Sequence, residues 1–428
     1  LETTSFTLSD IAAFKLLALQ WADRFSVLCL LDSNSYRQDK YPSVDWIMAV
    51  DALDFVSAKE NSFDALKTFV STAQDKVFGY LAYDLKNQIE HLSSDNIDTI
   101  DFPVLYFFKP RYIIEIIGDK VSINRNYPEA FDLYERIMMS GPRTKNQESS
   151  IKLKARTDKE KYLANVGQIK GQITAGDFYE LNYCCEFYAE RSTIEPLYVF
   201  NKLNERSRAP FSTYFKLDDK YLLCASPERF LKKQGSRIIS QPIKGTIRKG
   251  TSAAEDQQLK HQLLNNDKER AENVMIVDLV RNDLAKNSVA GTVKVEELFG
   301  IYDFPTVHQM ISTVTAELKE NIHPINVIRG AFPMGSMTGA PKVEVMKNIE
   351  AYEDQKRGLY SGSVGYFTPD GDFDLNVVIR SIFYNAASEY VSIQVGGAIT
   401  YDADPDAEYE EMLLKANAML YALGASIY

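Results

Sequence analysis

Apolar residues recur along this chain with two spacings, and each spacing predicts a different element. Ser26-Val27-Leu28-Cys29-Leu30-Leu31 is an apolar run closed by Asp32-Ser33-Asn34-Ser35, which predicts a buried strand and its turn. Tyr112-Ile113-Ile114-Glu115-Ile116-Ile117 followed by Gly118-Asp119-Lys120 predicts a hairpin arm and turn. Tyr162, Val166, Ile169 and Ile173 return every three to four residues, so a helix is expected over 159–173. Strands are then expected at 183–187, 213–217, 221–224 and 237–239, and helices over 267–284 and 341–352. Further strands at 361–367, 377–384 and 390–395 precede a last helix at 405–423. The strands cluster in hairpins rather than alternating with helices. That pattern predicts an α+β fold with antiparallel sheets, not a doubly wound one. The polar, aperiodic stretch 140–150 predicts a boundary between an N-terminal unit, 1–150, and a second unit, 151–428.

The chain has 428 residues, of which 45% are hydrophobic, enough for a large core. A net charge of -11 argues against a nucleic-acid or anionic-membrane surface, but leaves room for a local cationic pocket. The four cysteines, Cys29, Cys184, Cys185 and Cys224, form no Cys-x-x-Cys pair. Adjacent Cys184 and Cys185 should face opposite sides of a strand. Few cysteines, no long apolar run and no basic-then-apolar leader predict a cytoplasmic protein. Four histidines with no His-x-x-x-His spacing point any metal site towards carboxylates, hence magnesium.

Several clusters can carry chemistry. Lys244 lies in Ser240-Gln241-Pro242-Ile243-Lys244-Gly245-Thr246, between a rigid proline and a permissive glycine, a frame that suits an aimed amine. Glu269 and Glu272 share one face of the 267–284 helix, beside the apolar stripe Ile276, Val280 and Leu284. They read either as first-turn acids meeting the helix dipole, with Asn266 as cap, or as ligands. The last helix starts at the cap Asp404. Its expected core face is Tyr409, Leu413, Ala416, Leu420 and Leu423, with Glu408, Glu411 and Lys415 as a flanking stripe and Glu410 towards solvent. Gly335 to Lys342 resembles a phosphate loop but lacks its spacing, because Pro341 intervenes; a carboxylate site and a plain capped turn both remain open. Gly396-Gly397-Ala398 permits close approach of a ligand or tight packing. Arg380 ends an apolar run and needs an anionic partner, either acidic side chain or substrate carboxylate. On the residues alone, His308 reads as a structural histidine.

Taken in order, these pieces resemble the chorismate-binding enzymes over about 157–423. The matching segments are Ser226-Pro227-Glu228-Arg229-Phe230, Pro242-Ile243-Lys244-Gly245-Thr246, Glu272 to Asp283, Gly335 to Lys342, Tyr360 with Gly365-Tyr366-Phe367, Val378-Ile379-Arg380-Ser381 and the Glu408-to-Lys415 helix. The resemblance implies large antiparallel sheets packed as a central sandwich flanked by helices. The N-terminal unit resembles the variable domain of the same synthases. Its Leu30-Leu31-Asp32-Ser33 is similar to an element that helps bind tryptophan in some members, with Asp32 replacing a glutamate, although a buried strand explains it better than a ligand site does.

Within the family, a lysine at 244 implies the branch that delivers nitrogen to C4 of chorismate, giving 4-amino-4-deoxychorismate on the way to p-aminobenzoate and folate. The branch leading to anthranilate usually has alanine there. The resemblance implies Mg2+ on Glu272 and Glu411, with Glu269 and Glu408 as auxiliary ligands. It implies substrate contacts from Gly245, Thr246, Tyr360, Arg380, Gly396, Gly397 and Ala398, the last replacing a usual glycine. It implies Lys244 as nucleophile, Glu228 as general acid and His308 at the catalytic histidine position. At a reference pKa near 10.4, freeing the Lys244 amine at pH 7 costs about 4.6 kcal/mol. No glutaminase triad is evident, so ammonia is expected from a separate glutaminase subunit. The alternatives are 2-amination with pyruvate release, or a silent chorismate- or tryptophan-binding regulator.

Overall fold

The computed structural model describes residues 4–42, 44–124, 130–141 and 151–428. Two antiparallel sheets face each other and share the long strand Leu105–Ile117. On one side this strand pairs with Trp46–Val56, then Val27–Asp32, Phe211–Leu217, Lys220–Ser226, Ser381–Asn385, Tyr390–Ile399 and Glu180–Ala189. On the other it pairs with Val77–Leu81, then Ser363–Phe367, Phe373–Asn376, Arg229–Gln234, Arg237–Gln241 and Val307–Glu317. The expected α+β sandwich is therefore present. Among described strand pairs, Ala425–Ile427 with Ile151–Ala155 is the parallel exception. Strands on both sides of residue 150 pair with one another, as Val27–Asp32 does with Phe211–Leu217. Most of the polar stretch that suggested a boundary, 142–150, lies outside the described residues.

The continuous apolar run at 27–31 has a physical reason. Val27 and Cys29 enter the core between the sheets, while Leu28 and Leu30 enter a second core under the outer helices. A strand covered on both faces needs no polar alternation. Cys184 and Cys185 likewise point into different cores. The helices Ile11–Ala22, Lys159–Ala175, Pro196–Ser207 and Pro405–Leu423 bury Phe14, Tyr162, Phe200 and Met412 in the second core. Asp267–Ala285 and Pro324–Ala331 cover the opposite sheet through Ile276, Val280 and Ile328. Among the described residues no helix is long and apolar enough to cross a membrane.

Two expected elements change. The strand expected at 377–384 is broken, because the chain changes sheets there: Phe373–Asn376 belongs to one sheet and Ser381–Asn385 to the other. Arg380, at φ 53°, ends the crossover in the left-handed region. The last helix buries Glu408, Met412, Ala416, Met419 and Leu423. Its core face is thus rotated from the expected one, with Tyr409, Leu413 and Leu420 on the flank. Glu408 moves from the flank into the buried stripe.

Candidate active site

Strand and loop residues meet the N-terminal parts of the helices Asp267–Ala285 and Pro405–Leu423 around one cleft. The cleft between them is lined by Glu228, Lys244, Gly245, Thr246, Glu269, Glu272, Tyr360, Arg380, Gly396, Gly397, Ala398, Glu408 and Glu411. Every residue singled out from the sequence for this site is thus brought together, except His308. His308 alternates with the cleft-lining Gln309 on the strand Val307–Glu317 and faces the other way. Its Nε2 lies 2.8 Å from Asp256 and its Nδ1 2.7 Å from Asp303, in a fully buried position.

Lys244 sits where the strand Ile243–Arg248 bulges against Val307–Glu317. Gly245 adopts φ +94°, and a Cβ there would lie 3.1 Å from Glu269 and 3.2 Å from Leu263. The glycine therefore frees the turn and makes room for the acidic helix. Lys244 Nζ donates to Glu180 Oε1 at 2.6 Å. Glu180, Glu272 and Glu228 together hold the amine well above its usual range, against the opposing effect of burial.

Glu228 is 4% exposed and burial pushes its pKa up to about 7, although the Ser336 hydroxyl and Lys244 pull it back. Ser336 Oγ donates to Glu228 Oε1 at 2.6 Å. Burial also pushes Glu272 up to about 7, and raises Glu269. Glu411 is lowered by Lys415, whose Nζ lies 2.9 Å away. Lys268 bridges the two helices by donating to Glu408 at 2.8 Å. Glu272 Oε1 is buried with no hydrogen-bond partner. Among the described residues no three His, Cys, Asp or Glu side chains converge tightly as placed. Magnesium needs only one or two carboxylates plus waters and an anionic ligand, so Glu272 and Glu411 suit it.

The opposite wall is cationic and polar. Arg380 lines the cleft with no ion-paired carboxylate among the described residues; burial lowers its pKa, with Tyr360 and Glu411 offsetting. A Cβ on Gly396 would collide with the Tyr183 carbonyl and Cys184 Sγ, so this glycine is required by packing. Gly397 faces the cleft beside Glu408 and Lys415. Ala398 pairs regularly with Asn182 and is not at positive φ, so its methyl carries no backbone strain.

Sequence reasoning missed Glu180, Asn182, Ser336, Gln309 and Gln394. Glu180 and Asn182 lie two apart on one strand face, followed on that face by Glu186, an acidic and polar alternation in a buried strand, which was the available signal. Ser336 sits inside the Gly335-to-Lys342 motif. This motif is neither a phosphate loop nor a plain cap. A short 3-10 turn, Gly335–Met337, is followed by Gly339–Ala340 pairing with Leu181 and Glu180. Gly339, at φ +148°, leaves no space for a Cβ against the Glu180 carbonyl. The motif therefore fixes both Ser336 and the strand carrying Glu180.

The sequence profile of the family described as chorismate binding enzyme matches residues 30–421. This chain belongs to the chorismate-binding enzymes. Aminodeoxychorismate synthase component 1 of Escherichia coli is 41% identical over 265 residues, covering 62% of this chain and 58% of that protein. The matched part thus spans less than two thirds of that relative's length. The protein of the same name from Klebsiella aerogenes is 35% identical over 352 residues, covering 81% of this chain and 76% of its own. The solved anthranilate synthase component I from Streptococcus pneumoniae superposes with a TM-score of 0.78 at 23% identity, covering 90% of this chain and 94% of its own. At that identity it speaks for the shared fold.

Leu31, Asp32 and Ser33 of the Leu30-Leu31-Asp32-Ser33 element line a second cleft with Tyr36, Asp39, Phe211, Arg229, Tyr366 and Asp374, while Leu30 turns into the second core. Asp32 pairs with Lys15 at 3.1 Å, and Arg229 is held by Asp39 at 2.9 Å and Asp374 at 2.9 Å.

Proposed function

We propose that this chain aminates chorismate at C4, yielding 4-amino-4-deoxychorismate, with ammonia delivered by a separate glutaminase subunit. The observation that carries this reading is the placement in one cleft of Lys244, the buried Glu228 and Arg380, which has no ion-paired carboxylate among the described residues. The relatives named aminodeoxychorismate synthase support it.

Mg2+ held by Glu272 and Glu411 would withdraw electron density from the ring through its carboxylate. Glu269 and Glu408 stand ready as auxiliary partners. Gly245 and Thr246 offer backbone groups to that carboxylate. Arg380, Tyr360 and Gly397 suit the enolpyruvyl carboxylate on the opposite wall. Lys244 Nζ then forms a bond to C2 while both conjugated ring double bonds shift along the ring and the C4–O bond breaks. Glu228 gives its proton to the departing hydroxyl, which leaves as water. Ammonia bonds to C4, the C2–N bond breaks, and the amine of Lys244 is released. The enolpyruvyl group stays on the ring. His308, outside the cleft lining, has no step in this sequence and is proposed to brace the strand behind Thr246.

Four unpaired, buried cysteines fit the cytoplasmic location proposed here. Tryptophan is the small molecule proposed for the second cleft, where Tyr36 and Phe211 suit an indole.

The test is denaturing mass spectrometry after incubation with chorismate and Mg2+ without ammonia. An adduct on Lys244 is expected, and it should disappear when ammonium is added. Anthranilate and pyruvate as products, with no adduct, would replace this reading by 2-amination.

A further inference from the structure

Glu180 is the buried acid that the mechanism above leaves without a task. It lies on the strand Glu180–Ala189 and is 1% exposed. One oxygen, Oε1, accepts from Lys244 Nζ at 2.6 Å; the other, Oε2, is buried with no hydrogen-bond partner. An ionised carboxylate with a buried, orphaned oxygen is costly. Its backbone is pinned by the Gly339–Ala340 pairing, which leaves little freedom to turn away.

We infer that Glu180 is the proton acceptor that converts the Lys244 ammonium into the attacking amine, and later returns that proton. The inference rests on the covalent reading proposed above. In the free protein the pair is ionic, and water in the cleft helps to sustain it. Substrate filling the cleft expels that water, and a lower dielectric favours the neutral amine–carboxylic acid pair over the ionic one. The proton then moves from Nζ to Oε1 over one hydrogen bond, and the freed lone pair forms the bond to C2. When ammonia has displaced the lysine from C2, the neutral amine takes the proton back from Glu180. Glu228 separately loses its proton to the hydroxyl and regains one from the new ammonium at C4. Protons balance, and no outside base is needed. The charged groups felt by Lys244 are Glu180, Glu272 and Glu228, and Lys244 in turn acts on Glu269 and Glu411. Of these, Glu180 is the one hydrogen-bonded to Nζ among the described residues.

The experiment follows the rate of Lys244 adduct formation from chorismate with Mg2+ and no ammonia, between pH 6 and 9. Wild type, Glu180→Gln and Glu180→Asp are compared, with thermal melts of each as a check on folding. For Glu180→Gln the rate at pH 7 is expected to fall about 10²-fold or more. Relative to wild type at the same pH it should then recover about tenfold per pH unit, as solvent removes the lysine proton instead. Glu180→Asp should keep the wild-type pH profile at a reduced rate, which a merely structural role would not produce. If Glu180→Gln forms adduct at the wild-type rate or faster at pH 7, the acid only holds the ammonium in place and the inference is wrong. If Glu180→Gln does not fold, a Glu180→Asp profile that climbs with pH overturns the inference equally. If wild type itself forms no adduct, the covalent reading fails, which is a separate outcome.

Discussion

Replacing Glu228 by Gln removes a buried carboxylate while keeping its shape and an acceptor for the Ser336 hydroxyl. In the folded chain, burial pushes this carboxyl from the ordinary 4.5 up to about 7. The folded protein therefore keeps a proton that the unfolded chain has already lost between those two values. Stability contributed by that proton is fully present below pH 4.5, fades as pH rises through the window, and is gone above about 7. At 1.36 kcal/mol per pH unit, the rise from 4.5 to about 7 amounts to about 3 kcal/mol. Urea denaturation of ligand-free wild type and Glu228→Gln across pH 5–8 measures it. The variant is expected to gain about 2–3 kcal/mol relative to wild type between the ends of that range. Glu272, also pushed to about 7, titrates in both proteins and cancels from the comparison. A difference that stays flat with pH would show that Glu228 is ionised in the folded state, and would remove the general acid from the mechanism. The same titration should lower kcat/KM about tenfold per pH unit above about 7.

Arg229→Met leaves Asp39 and Asp374 facing each other without their cation, and is expected to cost about 3–5 kcal/mol in urea denaturation. A cost below about 1 kcal/mol would mean that the pair is already solvated. Gly339→Ala drives a methyl into the Glu180 carbonyl and should cost about 1–3 kcal/mol, with slower Lys244 adduct formation. Glu272→Gln should weaken Mg2+ binding measured by calorimetry, whereas Glu410→Gln, pointing to solvent, should not. His308→Asn should lower Tm and leave the chorismate Kd unchanged; lost affinity with an intact Tm would return His308 to the cleft.

Much of the fold was legible because its signals are local. The helix caps Asn266 and Asp404, the hairpin turn at Gly118 and the antiparallel strand clustering all follow from neighbouring residues. The break at 377–380 was not, because a strand that changes sheets keeps its apolar pattern: both sheets bury their inner faces. The rotation of the last helix was hidden by Glu408. A glutamate in a core stripe breaks the apolar rule, and its compensation, Lys268, lies on another helix 140 residues away in sequence.

The site shows the same division between local and long-range information. Lys244 announced itself through Pro242 and Gly245, whose conformational effects act within a few bonds. Its hydrogen-bonded acid, Glu180, is 64 residues earlier and has no motif of its own. Strand pairing alone joins them: Glu180 is fixed by Gly339–Ala340, and Lys244 by the bulge opposite Val307–Glu317. His308 illustrates the converse. In sequence it is adjacent to Gln309, which lines the cleft, yet strand alternation turns His308 towards Asp256 and Asp303. A motif position marks the backbone near a site; the pleat decides which side chain enters it. The proposed nitrogen transfer thus calls on an acid marked by no motif and on a turn, Gly335–Met337 with Gly339, that looks like a phosphate loop and serves to place the strand carrying that acid.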